Sequence, residues 1–206
     1  VGEHVFPMLR TLGVNGSNDG STYAQHMKDA RFTIPTPALL AKVVDLLAAV
    51  PMDNRDTKGD LYEYMLGKIA TAGQNGQFRT PRHIIALMVE LMAPRPEDVI
   101  CDPAAGTAGF LVAAGDYLRD HEPGLFRDEA QRRHFPTTMF NGFDFDATML
   151  RIGSMNMQLH GIEDANIRYR DSLAEGVDGG EADAYSLILA NPPFAGSLDY
   201  ETTSKD

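Results

Sequence analysis

Three short apolar runs in this chain each close on an aspartate. "DVICD" ends at Asp102, "TMFNGFD" at Asp144 and "ANIRYRD" at Asp171. Helical patterns lie between them. "TAGFLVAAGDYLRD" follows the first run. "ATMLRIGSMNMQLHG" follows the second, with Met149, Ile152, Met155 and Leu159 spaced as an inward stripe and Gly161 as its stop. Strands that alternate with helices imply a parallel sheet, because a crossover helix is what returns the chain to begin a parallel neighbour. A fourth run, "AYSLILANPPF", extends the series. The expectation is an α/β domain over residues 76–206.

Residues 1–75 read differently, as a helical region. "GVNGSNDGST" (13–22) is a flexible polar break. "TPALLAKVVDLLAAVP" predicts a helix with Thr36 as N-cap, Pro37 in the first turn, Pro51 beyond its end, and a stripe of Leu40, Val43, Val44 and Leu47. "GDLYEYMLGKIA" (59–70) predicts another short helix, and "TAGQNGQF" (71–78) a glycine-rich hinge. "TPRHIIALMVELM" repeats the Thr-Pro start, with Ile84, Ile85, Met88, Leu91 and Met92 on one face. Residues 120–137 read as a polar connection containing "QRRH".

Composition narrows the function classes. A net charge of −11 argues against a chain that holds nucleic acid by its own bulk field, so any action on DNA needs a local basic surface or a partner. The single cysteine, Cys101, excludes a disulfide framework and suits the reducing cytoplasm. No signal peptide is expected. The longest apolar stretch, "ALLAKVVDLLAAV", carries Lys42 and Asp45 and is too short to span a bilayer.

The acids point to the ligand. In an open α/β sheet the C-terminal strand ends form the binding crevice. The turn "DPAAGTAGF" brings Gly106 there, where a positive φ and a close ligand approach are both open to it. A nicotinamide site calls for G-x-G-x-x-G and an acid about 20 residues later. Here the turn reads G-T-A-G-F, and the next strand-end acid follows Asp102 by 42 residues. An aspartate at the mouth of the turn suits a cationic ligand without phosphate. S-adenosylmethionine offers a sulfonium, an α-ammonium, ribose hydroxyls and an adenine amine, all of which carboxylates complement.

The end of the fourth run suggests the reaction. Pro192 and Pro193 have no N–H for a ladder, so the strand must stop. An exocyclic amine on a nucleobase is a poor nucleophile, because its lone pair is delocalised into the ring. Two acceptors, the Asn191 side-chain oxygen and the Pro192 carbonyl, could take its two N–H bonds and localise that lone pair. The prolines fix both acceptors in advance. Phe194 supplies a stacking face, and a base in a duplex must be flipped out to reach it.

"GQFRTPR" (76–82), "DPAAGTAGFL" (102–111), "RDSL" (170–173) and "NPPF" (191–194) resemble, in order, the motifs of the methylation subunit of type I restriction–modification systems. These are N6-adenine DNA methyltransferases of the gamma motif order. "GDLYEYMLGKIA" also resembles the segment ahead of the catalytic domain in that family, so the likeness covers residues 55–194. The resemblance implies a Rossmann-like S-adenosylmethionine-dependent sheet, of which these are the first four strands, behind an N-terminal helical arm. It implies that Gln77, Phe78 and Thr80 lie over the methionine end of the cofactor. Asp102 and Gly106 would lie at its amino-acid end, Asp144 at the ribose and Asp171 at the adenine, with Ala104, Thr107 and Ser172 also among the cofactor-binding residues. Asn191, Pro192, Pro193 and Phe194 match the catalytic tetrad, with Asn191 also next to the cofactor. Ala108 stands where the family more often has glycine, and a helical φ would accept it. Asp144 stands where glutamate is more usual. The family's sheet has three further strands and a C-terminal helical part that these residues do not include, so the resemblance implies a methyltransferase domain incomplete at its C-terminus. DNA, a specificity subunit, a restriction subunit and a second methylation subunit are the implied partners. This chain alone is expected to bind DNA weakly and without sequence preference.

Other acceptors of the methyl group stay open: cytosine N4, RNA and a protein glutamine amide all present a planar amine. So does a non-enzymatic role as a cofactor-binding scaffold. Cys101 is expected to be buried beside the turn, His83 to be a surface or packing residue, and "QRRH" a solvated loop. No Cys/His spacing suggests zinc.

Overall fold

The computed structural model describes residues 2–12, 22–50, 61–62, 64–65, 80–174 and 183–192. Four strands form one parallel sheet: β1 (Ile100–Asp102), β2 (Phe140–Asp144), β3 (Asn166–Tyr169) and β4 (Leu187–Ile188), in the order β3-β2-β1-β4. The described helices are α1 (Val5–Leu9), α2 (Thr22–Met27), α3 (Pro37–Ala48), α4 (Arg82–Met92), α5 (Gly109–His121), α6 (Glu129–Thr137) and α7 (Ala147–Leu159). The chain runs outward from β1 to β3, then returns to the other side of β1 for β4. That reversal makes the C-terminal ends of β1 and β4 the switch point of a doubly wound sheet. The α/β reading therefore holds, with strands shorter than the sequence suggests. β3 stops two residues before Asp171, and β4 three residues before Asn191.

Helices α5 and α7 lie side by side over the sheet, and α4 packs on α5. The core joins Ile100, Phe140, Ile167 and Leu187 of the strands to Leu111, Leu118, Leu150 and Met157 of the helices, all buried. Fully burying one such side chain contributes about 1.5–3 kcal/mol. Gly161 adopts a positive φ of 71° just past the His160 C-cap of α7, as its position at the end of the apolar stripe predicts.

Of the stripe expected on α7, Met149 is buried, but Ile152, Met155 and Leu159 are only partly so. Leu150 and Met157 face the sheet, while Met155 packs into a second cluster built on Tyr23, Met27 and Ala30. The N-terminal arm supplies that second face. From α2, the Thr22 hydroxyl donates to the Ala165 carbonyl and His26 Nε2–H to the Ile167 carbonyl. These bonds satisfy the carbonyl just ahead of β3 and one within it, an edge strand of the described sheet. Arg151 on α7 returns a bond to the His26 carbonyl at 2.9 Å.

Elsewhere the periodic patterns mislead. Helix α3 starts as predicted, with the Thr36 hydroxyl accepting from Leu39 N at 3.2 Å and Pro37 at N1. Its apolar stripe, however, buries nothing among the described residues. In α4 the buried pair is Ile85 and Val89, whereas Leu91 is 75% exposed and Ile84 and Met92 also face out. Residues 120–137 are not a plain connection. They contain α6, capped by the Asp128 carboxylate on the N–H groups of Ala130 and Gln131. Leu61, Tyr62, Tyr64 and Met65 are helical, and the Tyr62 hydroxyl donates to the Ile152 carbonyl. The polar break at 13–21 and the hinge at 71–78 lie outside the described residues. No helix among the described residues is long and apolar enough to cross a membrane.

Candidate active site

The crevice is built on the turn after β1. Asp102 ends that strand and is 1% exposed, with Oδ1 accepting from Ala104 N at 3.0 Å. Ala105 N donates to the Phe143 carbonyl, and Gly106 N donates to Asp144 Oδ2 at 3.0 Å. The turn is thus sewn to the end of β2 by one backbone bond and one carboxylate bond. Gly106 holds φ at +51°, the left-handed region that glycine reaches without a steric penalty.

Helix α7 presses on the same turn from outside. A Cβ placed on Gly153 would stand 3.1 Å from the Gly106 carbonyl oxygen, so glycine there permits the approach. Asn156, fully buried, donates from Nδ2 to the Thr107 carbonyl at 2.9 Å.

Asp144 does more than cap the turn. Its Oδ1 accepts from Asp146 N at 2.8 Å, and Asp146 in turn caps α7 through Thr148 N. Each carboxylate oxygen has a second lone pair, so these backbone bonds leave acceptor capacity for a ligand. Asp171 is exposed beyond β3 and accepts from Leu173 N, while the Ser172 hydroxyl donates to the Pro103 carbonyl at 2.6 Å. The loops after β1, β2 and β3 are therefore hydrogen-bonded to one another along a single edge.

Burial pushes the Asp102 carboxyl up from 3.8 to about 7, against the lowering effect of the Ala104 N–H and with the Asp144 charge adding to the rise. A buried acid whose charged form is disfavoured, beside a second carboxylate, is a site that gains from a bound cation.

Across β1, the register pairs Cys101 with Ile188, so the chain leaving β4 passes beside Asp102 and reaches Asn191. Asn191 Nδ2 donates to the Thr80 hydroxyl at 2.9 Å. Asp102, Ala104, Gly106, Thr107, Asp144, Asp171, Ser172, Thr80, Asn191 and Pro192 thus all belong to loops or strand ends at this edge. Gln77, Phe78, Pro193 and Phe194 lie outside the described residues. Thr80 differs from the sequence expectation in one respect. The N-cap of α4 is Pro81 and no side chain caps it, so the second Thr-Pro does not repeat the first. Ala108 also differs: its φ is +59°, left-handed and not helical.

The basic "QRRH" stretch lies elsewhere. It belongs to α6, which leads into the start of β2, and His134 Nε2–H donates to the Asp98 carbonyl ahead of β1. Both contacts are at the opposite edge of the sheet from the acids. Arg133 pairs with Glu129 on the same helix at 3.3 Å. Cys101 is buried and His83 exposed, as expected.

Sequence reasoning passed over two residues. Phe145, 66% exposed, follows Asp144 directly at the C-terminal end of β2. The signal was an apolar residue placed just after a strand-end acid. Asn156 was hidden inside an apolar stripe, where a buried amide needs a partner and so marks a contact.

The family described as "N-6 DNA Methylase" matches residues 53–206. The methylase subunit of the type I restriction enzyme StySJI from Salmonella typhimurium is 31% identical over 98% of this chain and 41% of its own length. That of EcoKI from Escherichia coli K12 is 30% identical, with the same coverage. A structure described as a type I restriction enzyme modification subunit from Vibrio vulnificus YJ016 superposes with a TM-score of 0.77 at 29% identity, over 95% of this chain and 41% of that one. The chain spans about two fifths of the length of these relatives.

Proposed function

Because this chain belongs to the N-6 DNA methylase family, we propose that it carries the cofactor site and catalytic amide of an enzyme that methylates adenine N6 in DNA. The observation that carries this reading is the juxtaposition at the switch point. A buried acid ends β1, and a half-buried asparagine, followed by proline, leaves the neighbouring β4.

The residues present fit S-adenosylmethionine. The buried Asp102 carboxyl complements the α-ammonium, and the open Gly106 backbone leaves room beside it. Asp144 has spare lone pairs for the ribose hydroxyls, Asp171 for the adenine amine, and Phe145 offers a stacking face. When bound, this cofactor supplies a methyl group made electrophilic by its sulfonium.

The chain's part in the chemistry is to hold the acceptor amine. Asn191 Oδ1 takes one N–H and the Pro192 carbonyl the other, so the nitrogen's lone pair is withdrawn from the ring and directed out of its plane. Such preorganised acceptors gain strength as the nitrogen becomes tetrahedral and acidic. By the family resemblance, Pro193 fixes the backbone and Phe194 stacks on the extruded base, while Gln77 and Phe78 cover the cofactor. The same reading gives the complete protein DNA, a specificity subunit, a restriction subunit and a second methylation subunit as partners, and a cytoplasmic location. With the basic α6 face on the far edge of the sheet, target recognition falls to the partner.

The test is transfer of labelled methyl groups by the complete protein with its specificity subunit, using unmethylated duplex DNA, RNA and protein in parallel. Digestion of the labelled DNA is expected to yield N6-methyladenine. Label in N4-methylcytosine, in RNA or in protein overturns the adenine assignment, and cofactor binding without any transfer favours a scaffold.

A further inference from the structure

We propose that Asn156 is a positioning residue for the cofactor: from α7 it holds the turn after β1 in the shape that S-adenosylmethionine binds. This deepens the reading above and rests on it. The turn is not a shape the chain prefers. Gly106 and Ala108 both hold left-handed φ values, +51° and +59°, and alanine reaches that region only at a cost. Contacts from other elements have to hold it.

Two of those contacts are shared with the ligand. Ala104 N–H is bonded to the Asp102 carboxylate and Gly106 N–H to that of Asp144. These are the groups assigned to the cofactor's ammonium and ribose. The bond from Asn156 is not shared. Its amide, fully buried, donates from Nδ2 to the Thr107 carbonyl at 2.9 Å. A backbone carbonyl only accepts, so only the nitrogen end of the amide makes this bond. On the same peptide, Ala108 N–H donates to the Ala105 carbonyl at 2.7 Å. The Thr107–Ala108 peptide is thus pinned at both ends.

Gly153 lies beside Asn156 on one face of α7 and sets the preceding peptide. A Cβ there would stand 3.1 Å from the Gly106 carbonyl oxygen. That oxygen lies against α7, so in a trans, planar peptide the Thr107 N–H points away from the helix. The helix between β2 and β3 therefore grips two successive peptides of the turn. Without the Asn156 bond, the Thr107 peptide samples other orientations. Only the fraction of molecules with the turn in place then binds, and affinity falls by that fraction.

Three variants are made in the complete protein assembled with its specificity subunit. Asn156→Leu keeps the volume and removes the donor. Gly153→Ala sets a methyl against the Gly106 carbonyl while favouring the helix, since alanine suits a helix interior better than glycine. Met157→Val trims the core packing of the same helix and removes no bond to the turn. Cofactor dissociation constants are measured by calorimetry, unfolding by circular dichroism, and kcat at saturating cofactor. Loss of the buried bond predicts about tenfold weaker binding for Asn156→Leu. Gly153→Ala is expected to weaken binding about fivefold with little change in unfolding. In both, kcat at saturation is expected to stay within about twofold, because bound cofactor selects the correct turn. Met157→Val is expected to unfold more readily and to keep its affinity.

Unchanged affinity in folded Asn156→Leu overturns the proposal. So does a Met157→Val variant that loses as much affinity, since general loosening of the helix would then be the cause. So does a kcat that falls at saturation while affinity holds. If Asn156→Leu does not fold, Gly153→Ala decides, and unchanged affinity there overturns the proposal. If the wild type binds no S-adenosylmethionine, the parent reading fails and this inference with it; if it binds and the variants match it, this inference fails alone.

Discussion

On the β2 side of β1 the crevice is knitted by neighbours: Ala104 to Asp102, Ala105 to the Phe143 carbonyl, Gly106 to Asp144, and Asp146 to Asp144. On the β4 side, Asn191 is tied to Thr80, 111 residues earlier in the chain. The first set forms once β1, β2 and α7 have packed. The second also needs the segment before α4 to be in place. A pocket held by backbone N–H bonds to adjacent strand ends and their carboxylates is preorganised whether or not a substrate is near. The Asn191 amide, held by a side chain distant in the sequence, can be disturbed without touching that pocket. The two sides should therefore respond separately to mutation.

The largest separation is expected from Asn191→Ala. Removing an acceptor used mainly in the transition state should lower the methylation rate of the complete protein by about 100-fold or more. Cofactor affinity, measured by calorimetry, should change by no more than about twofold, because the turn proposed to hold the cofactor bonds to β2 and α7 and not to the Asn191 side chain. A matched collapse of affinity would show that the two sides are one unit.

A smaller effect should appear on the β2 side as pH dependence. Burial raises Asp102 to about 7 in the free protein. Below that pH the carboxyl is protonated and cannot pair with the cofactor's ammonium. Affinity should therefore be level above about pH 7 and fall by as much as about tenfold per unit below it, with a proton released on binding. Asp102→Asn should flatten the profile. Stability of the free protein runs the other way. A folded-state value above 3.8 means that the native state binds the proton more tightly than the unfolded one. This group's contribution is full below pH 3.8 and is lost as pH rises to about 7. Equal slopes for wild type and Asp102→Asn would remove Asp102 from the binding site.

The same asymmetry explains what the sequence could show. The ends of β1 and β2 were legible because an apolar run closing on an acid is a local pattern, and the strands do end at Asp102 and Asp144. The ends of the Gly161-stopped and Thr36-capped helices were legible for the same reason. The buried faces were less so. Leu91 and Met92 match the apolar period of α4 as well as Val89 does, yet only contact with α5 decides which side is covered. Helix α7 is packed on two faces because α2 reaches it from the N-terminal arm, and no period in α7 announces that. Thr80 was found as a site residue by its place in "GQFRTPR", but its bond to Asn191 depends on tertiary packing. Helix α6 was missed because Pro136 and a strongly polar composition mask it.

The smallest effect is expected where the β2 side departs from its own logic. Ala108 is fully buried and holds φ at +59°, a conformation that costs an L-residue about 1–2 kcal/mol relative to glycine. Ala108→Gly would relieve that strain. It would also remove a buried methyl, worth about 0.8 kcal/mol, and raise the entropy of the unfolded chain by about 0.4–1 kcal/mol. These terms nearly cancel, so denaturant unfolding should place the variant within about 1 kcal/mol of the wild type. The methyl faces Gly153 of α7, where an added Cβ would stand 3.5 Å from it. A loss above about 2 kcal/mol would mean that the left-handed backbone costs this alanine little and that the methyl wedges the turn against α7. Cofactor affinity should not move in either case, because the bonds of Gly106 and Asp144 do not involve the Ala108 side chain.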